Sequence, residues 1–423
     1  MAFPSAGLSD DQLFGLIFYL RTQAENTKAK VQFVADPNGI VIESEKQKFK
    51  IEVLSRDLET PWGMAFEPNG SLLITERPGR IRIYQNGKLS EPVKGTPVPR
   101  VQQDGGFLDI SLHPQFAKNG WIYLSYSEVL PGWKPAVAGA APAAAQGGQR
   151  AEVPPSNTVI VRGKINQNNE WTEQQVLFRS PAELYSSQGV HFGSRFLWDK
   201  QGHLFFTLGE RGVMQNAQTL TDKNSLGKIH RINDDGSVPK DNPYVMTPGA
   251  DPTIWSYGHR NPEGLAMDPV TGKLWESEHG PVGGDEINII EPRHNYGWGV
   301  ISMGIQPGIT ERVHEGMEQP VVYYNPGIAP SGISFYTGNR YPGWKDHSLF
   351  VCALLGQQLR RLEISGDKVT HQEVLFAQFG RVRDIVQGPD GYFYLLLQSP
   401  TGVNGLSLAA STPGMLIRLL PAS

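Results

Sequence analysis

The sequence predicts an all-β protein: a six-bladed β-propeller of four-stranded antiparallel blades, with a short N-terminal helix added in front. Three observations predict it. The chain of 423 residues carries 47 glycines and 32 prolines, a turn-rich composition that stays below the disordered regime. From about residue 50 onward, a unit of apolar stretch, Pro/Asp/Asn/Gly turn and second apolar stretch occurs six times, at intervals of about 45 to 85 residues. A hairpin recurring at such a period is the mark of radial repetition, which buries sheet faces against neighbouring sheets and leaves no long free edge.

Taken in order, residues 1–24 differ from the rest. Ser9 and Gln12 have the spacing of a capping box, Asp10 and Asp11 suit the positive end of a helix, and Leu13, Leu16, Ile17 and Leu20 follow helical periodicity. Two acids precede the apolar stretch and no basic region does, so the segment does not read as a signal peptide. Residues 25–48 are polar and read as a linker, and residues 49–423 as one propeller domain. The hairpins begin at Pro61, Gly105, His191, Arg260, Ser331 and Val382, and stretches such as RIRIY and GKIHRI supply further strands of the blades. Residues 129–157 form an Ala/Gly/Pro-rich loop, which reads as mobile surface in preference to a partner contact.

Composition excludes several classes of function. Lys plus Arg is 38 against 42 for Asp plus Glu, a net charge of −4, which lacks the basic surplus of a nucleic-acid binder. No apolar run reaches the ~18 residues that would span a bilayer. Cys352 is the sole cysteine, which excludes an intrachain disulfide, a Cys-based zinc site and CxxCH haem attachment.

Inner strands of a propeller line its axis, so residues at one phase of every repeat meet in a ring at one mouth. That phase is polar here: Gln103 and Asp104, His191, Arg260 and Asn261, Arg381 and Arg383, with Glu76-Arg77, Glu210-Arg211, Glu278-His279 and Gln398 returning on the second strands. Arg381 and Arg383 alternate along a strand and so share a face. Such a ring suits a ligand bearing several carboxylates or phosphates. In SEHGPVGGDEINIIEPRHNYGWG, Gly280, Gly283 and Gly284 let the backbone turn sharply and expose carbonyls beside Asp285 and Glu286. Those are donors for a hard cation such as Ca²⁺, or a tight turn with solvated acids. His113, His203 and His230 read as structural.

With these residues in place, HFGSR, LGKIHRINDDGSVPKDNP, YGHRNPEGLA, EHGPVGGDEINII, NYGW and RVRDIVQGPDG together resemble the pyrroloquinoline quinone (PQQ) dependent soluble aldose sugar dehydrogenases of the glucose/sorbosone dehydrogenase superfamily, over about residues 50–420. The resemblance implies PQQ and Ca²⁺ at the channel mouth and oxidation of aldoses at the anomeric carbon to lactones. Electrons would then pass to a c-type cytochrome or other acceptor, in a periplasmic or secreted setting. It further implies His191 as general base, Arg260 stabilising negative charge at the quinone, and Asn261, Arg381 and Arg383 binding the cofactor. Gln103 and Asp104 would lie near the sugar, the carbonyls of Gly280 and Pro281 would hold Ca²⁺, and Glu286 with the Tyr296 carbonyl a second Ca²⁺. Residues 1–24 resemble the last helix of a c-type cytochrome domain, with Met1 at the axial position, or serve as a plain docking helix.

The sequence departs from this pattern at four positions: Asp104 and Glu263 stand where the family has glutamine, Leu355 where some members have lysine, and Gly327 where the glucose enzyme has threonine. Two added acids and one missing cation bear on cofactor affinity and substrate range. A calcium-dependent propeller lactonase without a redox cofactor is the alternative, but a neutral lactone does not call for Arg381 and Arg383. A non-catalytic binding propeller is the third reading, since fold alone does not imply chemistry.

Overall fold

The computed structural model describes residues 33–134, 152–399 and 412–422. The expected helix at 1–24, its Met1, and residues 135–151 of the Ala/Gly/Pro-rich loop lie outside these. Six antiparallel sheets are present, five of four strands and one of five. Their first strands, Pro61–Phe66, Phe107–Leu112, Phe196–Trp198, Pro262–Met267, Pro330–Phe335 and Arg381–Gln387, contact one another in sequence, and the last contacts the first. The expected six-bladed propeller is therefore what the chain forms. RIRIY and KIHRI are the third strands of their blades, Arg80–Gln85 and Lys228–Ile232.

The last blade closes the ring with both ends of the chain. Its inner strand Arg381–Gln387 is followed outward by Phe393–Gln398, Pro413–Pro421 and the N-terminal strand Lys48–Glu59. The outer two pair antiparallel from Phe49↔Pro421 to Glu59↔Pro413, so chain ends far apart in sequence seal one sheet. Residues 25–48, expected as a linker, are in part structured. Val41–Glu43 pairs with Lys48–Lys50 as a fifth strand, and the Val34 amide donates to the Gln378 carbonyl at 2.8 Å. Val34, Ile40 and Ile42 pack on the apolar cluster of the last blade, and the polarity read as linker belongs to the turn at residues 43–48.

Apolar side chains fill the gaps between blades. The cluster around Trp344, Phe350, Phe393 and Tyr341 includes Trp344 and Phe350 in edge contact at 5.0 Å, both fully enclosed. Truncating such an aromatic costs roughly 3–5 kcal/mol.

A hydroxyl at one position of the second strand ties successive blades together. Thr75, Ser125, Thr207 and Ser277 donate to the Leu108, Ser194, Pro262 and Ser331 carbonyls of the following blade, at 2.6, 3.2, 2.7 and 2.8 Å. In the fifth blade Cys352 holds this register position, one residue before Ala353, which pairs with Pro330. On the axis, Arg195 joins further blades. Its Nη1 reaches Asp384 at 3.0 Å and Asp109 at 3.3 Å, while its Nε donates to the Glu263 carbonyl at 2.8 Å. Burial, opposed by Arg195, pushes the Asp109 carboxyl up to about 7.

Candidate active site

At one mouth the inner strands open with irregular backbone. Register shifts fall between Pro61 and Met64, Phe107 and Ile110, Pro262 and Gly264, Pro330 and Ile333, and Val382 and Asp384. Just ahead of inner strands, Thr60, Gln103, His191 and Ala329 adopt φ of 45°, 48°, 54° and 51°. β-Bulges re-aim side chains, and left-handed non-glycine residues persist only where surrounding structure holds them. Their recurrence at one end of the ring marks that end as the site.

His191 is half-buried and its Nδ1 lies 2.5 Å from Glu210 Oε1. Burial pushes the Glu210 carboxyl up, but His191, by charge and hydrogen bond, and Arg260 outweigh it and hold the group below its ordinary range. The Glu210 carboxylate accepting from Nδ1–H fixes the tautomer that leaves an Nε2 lone pair. Arg211 supports the loop: its guanidinium donates to the Gln188 carbonyl at 2.7 Å and to the Val190 carbonyl, and lies 3.5 Å above the Phe192 ring. It is a brace for His191 and not a ligand cation. Glu76 is also structural, bonded to Arg80 at 2.7 Å.

Asp104 links His191 to the arginines. It is exposed, its Oδ2 accepts the His191 amide at 3.4 Å, and its charge acts on Arg77, Arg211 and Arg381. The Arg77 Nη1 donates to the Gln103 carbonyl at 2.6 Å, which holds this turn. Burial, then repulsion from Arg383, brings the Arg381 guanidinium down to about 10. Arg383 falls within the bulge between Val382 and Asp384, and its Nη1 pairs with Glu263 at 2.6 Å over the Trp62 ring. Glu263 also accepts from the Asn261 amide at 3.0 Å, and the Asn261 Oδ1 accepts the Gly193 amide at 3.0 Å. The Asn261 side chain is thus bonded within the protein.

The second group of expected residues lines one cleft. Arg260, Gly280, Pro281, Glu286 and Tyr296 border a shallow, partly open cleft together with Glu278, His279 and Trp298. Asp285 shapes its carbonyl-rich turn, accepting the Gly280, Ile328 and Ala329 amides at 2.8, 2.6 and 2.6 Å. Gly283 and Gly284 both hold φ of +72°, and a Cβ on Gly280 would stand 2.3 Å from the Gly284 carbonyl oxygen, so side chains are excluded. His191, Asn261, Arg381, Arg383, Gln103 and Asp104 lie outside this cleft. Glu210 bridges the two groups, since its amide donates to the Arg260 carbonyl at 2.9 Å. The role of Glu210 was not assigned from sequence, although its position in the polar ring was visible, and Trp298 carried no signal beyond its motif; Asp285, read with Glu286 as a candidate cation donor, instead spends its carboxylate on three backbone amides.

These features define a six-bladed propeller with an arginine- and histidine-lined mouth beside a carbonyl-rich turn. The chain belongs to the Glucose / Sorbosone dehydrogenase family, whose profile matches residues 58–406. It is 39% identical over 362 residues to aldose sugar dehydrogenase YliI of Escherichia coli K12, covering 83% of this chain and 91% of the relative. The crystal structure of the soluble aldose sugar dehydrogenase from Escherichia coli in the apo-form superposes with a TM-score of 0.75 at 36% identity, over 88% of this chain and 100% of that one. The PQQ-bound aldose sugar dehydrogenase of Streptomyces coelicolor shares the fold, with a TM-score of 0.64 at 23% identity, over 88% of this chain and 99% of that one. Among the described residues no helix is long and apolar enough to cross a membrane.

Proposed function

We propose that this protein oxidises aldoses at the anomeric carbon to lactones with PQQ and Ca²⁺. The observation that carries the reading is the His191–Glu210 pair at 2.5 Å, facing the guanidinium-rich mouth. The residues suit both groups. The Arg383 Nε and His279 Nε2 are buried and without a hydrogen-bond partner, as an anionic ligand requires, and the Gly280–Gly284 turn offers backbone carbonyls flanked by glycines that admit no Cβ, as a hard cation requires. Arg381 and Arg383 would bind the cofactor carboxylates, Asn261 would hydrogen-bond the cofactor through adjustment of its present bonds, and the Gly280 and Pro281 carbonyls would hold the metal. Glu286 and the Tyr296 carbonyl are proposed to hold a second Ca²⁺.

When bound, PQQ supplies the two-electron oxidant and Ca²⁺ a Lewis acid that polarises its carbonyl. The protein supplies the rest. His191 accepts the anomeric hydroxyl proton at Nε2 as the C–H leaves as hydride, and Glu210 stabilises the imidazolium that results. Arg260, 5.1 Å above Trp298, is aimed into the cleft where negative charge develops. Gln103 and Asp104, on the strained turn beside His191, are positioned to contact sugar hydroxyls. Electrons then pass to a cytochrome or other acceptor, and the setting is periplasmic or secreted, as the family resemblance implies.

Reconstituting purified protein with PQQ and Ca²⁺ and following dye reduction by aldoses tests the reading. Sugar-dependent reduction with spectral change of bound quinone is the expected result. Hydrolysis of a lactone with Ca²⁺ alone, and no quinone absorbance on the protein, would replace it with the lactonase.

A further inference from the structure

The fourth blade carries a buried constellation behind the cleft, of which only Glu278 borders it. Glu276 and Glu278 alternate on the strand Leu274–Glu278 and so share a face, and His259 approaches them from the turn that carries Arg260 and Asn261. One ligand atom of each of the three lies within 4.8 Å of the other two. Their exposures are 0%, 0% and 3% for His259, Glu276 and Glu278.

Two atoms in this cluster lack a hydrogen-bond partner: Glu276 Oε1 and His259 Nδ1, both enclosed. The imidazole is fixed by its other nitrogen, which bonds Ser256 Oγ at 2.9 Å, and by stacking on Tyr296 at 4.7 Å. Its Nδ1 therefore stays turned toward Glu278 Oε1, 3.5 Å away. The Asn288 amide touches Glu276 Oε2 at 3.1 Å and Glu278 Oε1 at 3.5 Å, and the Arg260 backbone amide donates to Glu278 Oε2 at 2.6 Å, but these neutral donors bring no cation to offset two enclosed carboxylates.

We infer that His259, Glu276 and Glu278 form a binding site for a first-row divalent cation of the Zn²⁺ or Mn²⁺ type. One imidazole nitrogen with two carboxylate oxygens is a donor set such ions accept, whereas Ca²⁺ and Mg²⁺ are served by oxygen alone. The ligand set differs from the Gly280 and Pro281 carbonyls and from Glu286 with Tyr296. The ion would tie the turn presenting Arg260 to the strand beneath it, a structural role. The inference does not depend on the PQQ reading.

The test uses full-length protein stripped by chelator and titrated with Co²⁺, without PQQ or sugar. The expected result is one bound Co²⁺ with a visible ligand-field band, imidazole nitrogen coupling in pulsed electron paramagnetic resonance, and displacement by Zn²⁺ but not by equimolar Ca²⁺. Glu276→Gln should weaken Co²⁺ binding by at least roughly tenfold, given that even outer partners of a metal contribute ~10–100-fold, while Glu363→Gln, on the fifth blade, leaves it unchanged. Nitrogen coupling in the wild-type protein needs no variant and stands if Glu276→Gln misfolds. Absence of the band or of nitrogen coupling, or unchanged Co²⁺ binding in a folded Glu276→Gln, overturns the assignment.

Discussion

The Glu263 carboxylate pairs with the Arg383 guanidinium at 2.6 Å, so one of the two arginines proposed to hold the cofactor already has an internal anion. Burial would raise the Glu263 carboxyl, but His279 and Arg383 hold it below its ordinary range, so the pair is ionised. Under the proposed function an incoming cofactor carboxylate would have to displace Glu263, which stands where the resemblance to the family implies glutamine.

Glu263→Gln therefore has opposite effects on two measurements. Removing one member of a buried pair leaves the other charge uncompensated, at roughly 3–5 kcal/mol, lessened because glutamine keeps the Asn261 and Ser331 contacts. Tm of the apoprotein should fall. PQQ affinity, followed by absorbance or fluorescence titration, should rise.

His191→Ala should lower kcat by roughly 10²–10⁴ in the reconstituted enzyme, the range for loss of a positioned base. Glu210→Gln keeps the shape and removes the charge that orients Nδ1–H. Its expected signature is a fall in kcat with little change in KM, together with a displaced pH profile. An unaltered profile would assign Glu210 to packing alone.

Asp109 sets a pH dependence of stability on the propeller axis. Its folded pKa, raised to about 7 by burial, exceeds the ordinary carboxylate value of 3.8. Between these values the folded state binds more protons than the unfolded, so this group's contribution weakens as pH rises through that window. Relative to Asp109→Asn, which does not titrate, wild-type Tm should decline from about pH 4 to about pH 7 and then level off. Thermal unfolding of both proteins across that range checks the sign.

Asp285 holds the carbonyl turn through three backbone amides. Ca²⁺ added to chelator-treated wild-type protein should raise Tm, with a free energy of ~2.7 kcal/mol at a hundredfold excess over Kd. Asp285→Asn should need more Ca²⁺ for the same rise, while far-ultraviolet circular dichroism stays unchanged.

Much of the fold was legible in the residues because period-two strands with Gly/Pro turns report hairpins locally, and six hairpins imply a ring. Strand Val41–Glu43 was not, since three residues beside the polar run 43–48 are too short to show alternation. In the site, His191, Arg260 and the Gly280–Gly284 turn stand out by residue type and motif. Glu263 was visible as a departure from the pattern, yet its partner was not, because Glu263 and Arg383 lie 120 positions apart.

By itself, the sequence determined the repeat, the turn chemistry and which residue types share the polar phase, all of which are set by local backbone preference and alternation. Only the tertiary structure decided who pairs with whom. It placed Glu210 on His191, Glu263 on Arg383, and Cys352 in line with the hydroxyls that bind blade to blade. Those pairings arise when ring closure brings separate blades within ångströms and removes the water that would otherwise screen each charge from the next.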